Sequence, residues 1–186
     1  MDAYNSLIKA HYASIWGDGF EERKWNKGPI NELGDNLSIL EFWPTEKRKM
    51  WIYATVGMST FTHKTPVELH MFSDIQDESI LELLTALAYY HSTENNLGLN
   101  HTVDFGRPLQ GASACSYGLI SLPYLDGPKL ELLNPGNGYK TVACYWLIPI
   151  TLQEREYKMK YGIEALEEKF EQKSFNYLDP ERESVV

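Results

Sequence analysis

The apolar run Val142-Ala143-Cys144-Tyr145-Trp146-Leu147-Ile148 is rich in β-branched and aromatic residues, and no polar residue alternates with them. That pattern reads as a strand buried on both faces. Pro149 has no N–H to donate and is expected to end the ladder. Thr151-Leu152-Gln153-Glu154 then has the form of a capping box, in which the hydroxyl and the carboxylate satisfy orphan donors reciprocally. Arg155 stands where a hydrophobic staple would place its second apolar partner. From Glu154 onward the period becomes helical: Met159, Ile163, Leu166 and Phe170 form a stripe, with Glu167, Glu168, Lys169 and Glu171 mostly off it. The pattern predicts a central strand at 142–148 and a helix over 152–172 that covers it.

The rest of the chain supplies the layers around that pair. Asp2 to Trp16 reads as a helix, with Tyr4, Ile8, Tyr12 and Ile15 at helical spacing, stopped at Asp18-Gly19. Residues 20–36 are polar, with Lys27-Gly28-Pro29 and Gly34-Asp35-Asn36 as breakers. Leu37 to Trp43 and Met50 to Val56 read as a hairpin around the charged turn 44–49. A polar loop over 57–65 leads to a third strand, Val67 to Phe72, with Val67, Leu69 and Met71 on one face. Ser73 or Asp74 is expected to cap the next helix, with Gln76 completing a box to Ser73. Ile80, Leu81, Leu83, Leu84, Leu87, Ala88 and Tyr90 cover more than half of its circumference, so it reads as buried between layers. Asn95-Asn96 and Gly98 end it. Residues 98–114 read as loop, Ser116 to Leu122 as a strand stopped by Pro123, Lys129 to Leu133 as a short strand, and 134–138 as a turn. Phe175, Tyr177 and Leu178 predict that the tail, 174–184, docks on the body, where Arg182 can meet a carboxylate. The reading is one domain over 1–186, an α/β (α+β) sandwich with a mixed, mostly antiparallel central sheet and helices packed on it.

Composition narrows the function classes. With 43% apolar and 13% aromatic residues among 186, a packed core is expected. The formal net charge is −9, from 26 acidic and 17 basic residues. That argues against direct nucleic-acid binding, which needs a basic face, and permits a basic protein partner. Cys115 and Cys144 lie in apolar runs and read as buried free thiols. The chain starts Met1-Asp2-Ala3-Tyr4, without a basic n-region or a long apolar stretch, and a cytoplasmic protein that does not engage a membrane is expected.

No catalytic spacing stands up. In Gly136-Asn137-Gly138-Tyr139-Lys140-Thr141 the lysine does not follow the second glycine and the loop leads into a strand, so it reads as a turn. Gly111-Ala112-Ser113-Ala114-Cys115 lacks the second glycine of a nucleophile elbow, and no histidine is placed to activate Cys115. His11, His63, His70, His91 and His101 form no metal-ligand pair by spacing. Glu68 and His70 share a strand face, where two ligands are conceivable, but a satisfied or exposed His70 is the expectation. No enzyme activity, metal or cofactor is expected. Asp74, Asp77, Glu78 and Glu82 crowd one helix start; they complement its dipole, and Asp74, Asp77 and Glu78 are the candidate patch for a basic partner.

Three stretches carry a resemblance. Tyr53-Ala54-Thr55-Val56-Gly57-Met58-Ser59 is followed by Pro66-Val67-Glu68-Leu69, a Thr-x-Gly-x-Ser loop before a strand with Glu-Leu. The apolar helix Ile80 to Tyr90 precedes a Gly-rich loop and a strand ending at Pro123. Ile148-Pro149-Ile150 and Glu154 are followed by the tail Asp179-Pro180-Glu181-Arg182-Glu183-Ser184-Val185. In this order, over roughly residues 35 to 186, they resemble the suppressor-of-fused (SUFU) domain family, specifically its bacterial single-domain members. The resemblance implies an α/β sandwich with a mixed sheet and no known catalysis. It implies an immunity protein or antitoxin that neutralises a secreted polymorphic toxin, often a nuclease; eukaryotic members bind a transcription factor. The leading expectation is therefore a toxin-binding immunity protein. The alternatives are a regulatory scaffold for another protein, or an enzyme or small-ligand binder with a cleft lined by Trp16, Trp25, Trp43 or Tyr124.

Overall fold

A strand with no polar alternation has to be covered on both faces, and the computed structural model shows what covers it. Residues 2–28, 33, 36–60, 65–93, 96–111, 113–136 and 138–186 are described. Pro29, Gly34, Asp35, His63, Asn95, Ala112 and Asn137, which the pattern reading also used, lie outside them.

In chain order the elements are α1 (Asp2–Trp16), β1 (Phe20–Arg23), β2 (Ser38–Phe42), β3 (Trp51–Val56), β4 (Val67–Ser73), α2 (Glu78–Ser92), β5 (Thr102–Asp104), β6 (Cys115–Ser121), α3 (Pro128–Glu131), β7 (Leu132–Leu133), β8 (Val142–Thr151), α4 (Leu152–Tyr161) and α5 (Ile163–Lys173). The strands form one sheet in the order β1-β2-β3-β4-β8-β6-β5, with β7 paired to the start of β8. The β4–β8 pair is parallel and the others are antiparallel. The mixed, mostly antiparallel sandwich read from the sequence is the observed fold.

Alternate residues of the central strands enter two cores. Val142, Cys144, Trp146, Ile148 and Ile150 of β8 join Tyr4, Ile8, Tyr12 and Trp16 of α1, Leu166 and Phe170 of α5, and Val185 of the tail. Leu147 of β8 and Val67, Leu69 and Met71 of β4 join Ile80, Leu84, Leu87 and Ala88 of α2. Both faces of β8 are thus dry, which is why its sequence shows no period of two. On α2 the exposed residues are Glu78, Glu82, Ala86 and Tyr90, a single stripe at intervals of four. Cys115 and Cys144 are buried free thiols. No helix among the described residues is long and apolar enough to cross a membrane.

Several boundaries differ from the pattern reading, each for a local reason. Pro149 lies inside β8, opposite Gly118 of β6. Its carbonyl accepts from Arg182 Nη2 at 3.2 Å. N and O of one extended residue point to the same side, so the missing donor lies on the edge that Arg182 covers and the ladder to β6 loses nothing. The helix read over 152–172 is two helices, broken at Gly162 with φ 92°. Glycine carries that φ without strain, and the break leaves Met159 68% exposed while Leu166 and Phe170 stay buried. The cap of α2 is Asp77, whose side chain accepts from the Ser79 N–H, and not Ser73 or Asp74. Ser73 belongs to β4, and Gln76 reaches Glu41. The polar stretch 20–36 contains β1, the stretch 98–114 contains β5, and most of 129–133 is helical, with only two residues of strand.

The tail is fastened as its aromatics implied. Thr151 and Glu154 form the capping box of α4. The Glu154 carboxylate, fully buried, also accepts from Arg182 Nη1 at 2.5 Å, Arg182 Nη2 at 2.7 Å and Val185 N at 3.0 Å. Phe175, Tyr177 and Leu178 pack against the α1-side core, and the Arg182 guanidinium lies 5.2 Å from the Phe175 ring. Removing one partner of such a pair strands the other charge in the interior. Arg182→Ala is expected to lower unfolding free energy by about 3 kcal/mol in urea denaturation, and deletion of 174–186 to lower it further. An unchanged midpoint in both would show that the tail is not part of the cooperative unit.

Candidate functional site

Two buried polar residues on the α1 side of β4 are the first candidates for chemistry. Glu68 is fully buried and accepts from Thr55 Oγ1 at 2.6 Å, Gly57 N at 3.0 Å, Met58 N at 3.3 Å, Ser59 N at 3.0 Å and Ser59 Oγ at 2.7 Å. Burial pushes its carboxyl up to about 7, against the donors, which lower it. Four of these five donors come from the turn that joins β3 to the 3-10 segment Met58–Thr60 and the fifth, Thr55, from the end of β3, so Glu68 holds that turn. Gly57 has φ +97°, and a Cβ there would sit 2.2 Å from the Asn36 carbonyl oxygen, so glycine is required. His70 is also fully buried, and neither ring nitrogen has a hydrogen-bond partner. The expectation of a satisfied or exposed His70 is corrected: Trp16 and Phe72 meet it edge-on at 5.2 and 5.4 Å. The rings that bury it offer no acceptor. Among the described residues no three His, Cys, Asp or Glu are placed to hold a metal ion.

The acidic cluster at the start of α2 is largely engaged. Asp77 Oδ1 accepts from Ser79 N and Oδ2 from Gln110 Nε2, both at 2.8 Å. Glu78 accepts from Arg23 Nη2 at 3.0 Å. Asp74 is exposed. Nor do the aromatic candidates gather into one cleft. Trp16 is buried in the α1-side core, Trp25 packs on the α2 side, and Trp43 and Tyr124 are exposed.

The feature best suited to a ligand is the sheet edge at β5. Phe105 N donates to Ser116 O at 3.0 Å, and Ile120 N to His101 O at 2.9 Å. The peptide groups of residues 101, 103 and 105 therefore face β6, and by alternation those of Thr102 and Asp104 face outward. No other strand pairs with β5 among the described residues. Gly118 of β6 makes this edge: a Cβ there would meet Phe105 Cε1 at 2.7 Å, so the absent side chain lets the Phe105 ring lie against β6. Two hollows flank the edge and share Tyr90 and Thr102. One, of about 450 Å³, runs along α2 past Leu83, Ala86 and Phe105 to Arg155. The other, of about 480 Å³, is bounded by Leu97, His101, Lys158 and Met159. The Arg155 guanidinium lies 5.2 Å from the Tyr117 ring, and Lys158 Nζ donates to the Asn100 carbonyl at 2.5 Å. Burial pulls the Lys158 ammonium below its usual value, with Arg155 adding to the shift. An unpaired edge, two half-apolar hollows and two cations suit capture of an extended peptide segment.

Sequence reasoning missed this site because β5 is three residues long. Its one signal was the β-branched pair Thr102-Val103 before Asp104. The predicted Asp74, Asp77 and Glu78 lie at the opposite end of α2 from Tyr90, about 18 Å away at 1.5 Å per residue, so the structure does not bring them to the edge.

His70 generates a pH prediction. Burial pushes its imidazole down to about 3 from an ordinary 6.5. The unfolded chain therefore takes up the proton first, and stability is lost as pH falls from 6.5 towards 3, by up to about 1.4 kcal/mol per unit. His70→Phe keeps an aromatic ring in the site and is expected to abolish that component. Glu68, with its raised value, contributes in the opposite direction but is present in both proteins. The difference between their urea stabilities should grow as pH falls below 6.5 and be flat above it. A difference independent of pH would contradict the assignment.

Comparison with known proteins gives the context of this fold. No match is found among curated proteins. A crystal structure of a suppressor of fused homolog from Neisseria gonorrhoeae superposes with a TM-score of 0.87 at 28% identity, covering 100% of this chain and 98% of that one. A structure described as the Sufu–Fu complex gives 0.69 at 14% identity, covering 98% and 92%, and shares the fold. Drosophila Suppressor of Fused gives 0.70 at 14% identity, and the match spans 98% of this chain but 51% of the Drosophila one. The family model for suppressor of fused protein matches residues 34–183, and the chain belongs to the SUFU family.

Proposed function

We propose that the chain is a non-catalytic protein-binding module that adds an extended segment of its partner to β5. The partner on this reading is a secreted toxin domain, which the chain neutralises as an immunity protein in the cytoplasm by direct binding. The observation that carries the binding mode is the outward-facing peptide edge of Thr102 and Asp104 between two hollows. Main-chain bonds along such an edge give affinity, and the flanking hollows select side chains. Support for a protein partner comes from a relative of the same fold described in a complex with Fu. Support for a basic toxin partner comes from the net charge of −9 and from the resemblance set out above. Excess carboxylates, Asp74 among them, would steer a basic domain, while Tyr90 and Met159 anchor it.

Thr102→Pro removes the outward N–H and spares the ladder to β6, so the protein should fold normally. Co-expressed with the toxin domain, the unaltered protein is expected to restore growth to a host that the toxin kills. Thr102→Pro and Tyr90→Ala should each weaken the complex by about tenfold or more, and rescue should fail at matched expression. Raising salt should slow association more than it speeds dissociation. Failure of rescue with both proteins soluble and abundant would remove the immunity role. Rescue and affinity undiminished in both variants would remove β5 as the site.

A further inference from the structure

The opposite side of α4 carries a second concavity, between α4 and α5, of about 630 Å³. It is separate from the β5 edge, because Arg155, Lys158 and Met159 of α4 face β5 while Tyr157, Lys160 and Tyr161 face α5. Its aromatic floor is the Tyr157–Tyr161 pair, with ring centroids 4.6 Å apart. One wall is Val185, held by the Glu154 carboxylate through its backbone N–H. Three lysines, Lys160, Lys169 and Lys173, line it against one acid, Glu156.

The state of these lysines is informative. In a chain with 26 acidic residues and 17 basic ones, a surface lysine has many carboxylates to meet. Yet among the described residues none of the three is in an ion pair. Lys160 Nζ lies 4.8 Å from the Tyr161 ring, and Lys169 Nζ donates to Gln172 Oε1 at 3.4 Å. Three ammonium groups, none within ion-pair distance of a carboxylate among the described residues, surround an apolar floor.

We propose that this concavity is a docking surface for an acidic peptide segment that carries aliphatic or aromatic residues between its carboxylates. The lysines match the carboxylates, and Tyr157, Tyr161 and Val185 take the apolar side chains. A polyanion such as single-stranded nucleic acid fits worse. Such a strand needs a continuous basic track, whereas here the three lysines share the lining with Glu156, Tyr157, Tyr161 and Val185. This surface does not depend on the β5 reading and can stand or fall without it.

The test uses the full chain and a short synthetic peptide of alternating Glu and Leu with one Trp, followed by NMR and fluorescence titration. Shifts are expected at Tyr157, Tyr161 and Lys169, and not at Thr102 or Tyr90. Charge reversal at Lys160, Lys169 and Lys173 together should weaken binding about tenfold or more, while Arg155→Glu should leave it unchanged. Lys160 and Lys173 are exposed and Lys169 is half-buried; should the triple variant fold poorly by circular dichroism, K160E/K173E serves in its place. No binding, shifts confined to β5, or binding that survives reversal would overturn the proposal. So would tighter binding of oligo-dT than of the peptide, or self-association that the reversal abolishes, since these assign the surface to nucleic acid or to a second copy.

Discussion

The Glu154 carboxylate is the point at which the last third of the chain is tied together. A fully buried carboxylate is costly unless its oxygens are saturated with donors. Here the Thr151 N–H, the Val185 N–H and both arms of Arg182 supply them. One group therefore starts α4, closes the end of β8 beyond its pairing with β4, and holds the tail down. The tail in turn completes the α1-side core: Tyr177 meets Trp146 edge-on at 5.2 Å, and Phe175 stacks on Phe170 at 4.1 Å. An Arg–carboxylate fork is directional where apolar contact is not, so it fixes one docking of an otherwise irregular segment.

Glu68 does the equivalent work at β4, on the same face of the sheet. Its carboxylate gathers the backbone of Gly57, Met58 and Ser59 into a closed turn, over which Tyr4 of α1 reaches Ser59 at 3.0 Å. The Thr-x-Gly-x-Ser loop with its Glu-Leu strand, and the Glu154 position with its Arg-containing tail, are two of the three stretches by which this chain resembles its family. Both are scaffold. The hollows beside β5 take Leu83, Ala86, Leu87 and Tyr90 from the remaining stretch, the apolar helix, and Arg155, Lys158 and Met159 from α4. Shared motifs of this kind identify a fold and leave the partner open, since recognition is written in side chains that the scaffold does not constrain.

How legible each feature was follows from the range of the interactions that set it. The core strand at 142–148, the stripe of α1 and the Thr151–Glu154 box depend on period and on neighbours within a turn, and the chain displays both. The place of Pro149 inside β8 is not legible locally, because it depends on Arg182, 33 residues away. The split at Gly162 was hidden by a stripe that stays in phase across a glycine. β1 and β5 are edge strands of four and three residues, formed by pairing with partners that nothing local announces. The edge site depends on Gly118 and Phe105 meeting across two strands, a contact visible only in three dimensions.

The central claim, that partner recognition occurs by strand addition at β5, is tested most directly by amide hydrogen exchange in the complex. Free, the outward N–H groups of Thr102 and Asp104 should exchange readily, while that of Val103, paired to β6, should be protected. Bound to the partner, the Thr102 and Asp104 amides should become protected along with Val103. A tight complex in which both amides still exchange as fast as in the free protein would contradict the account.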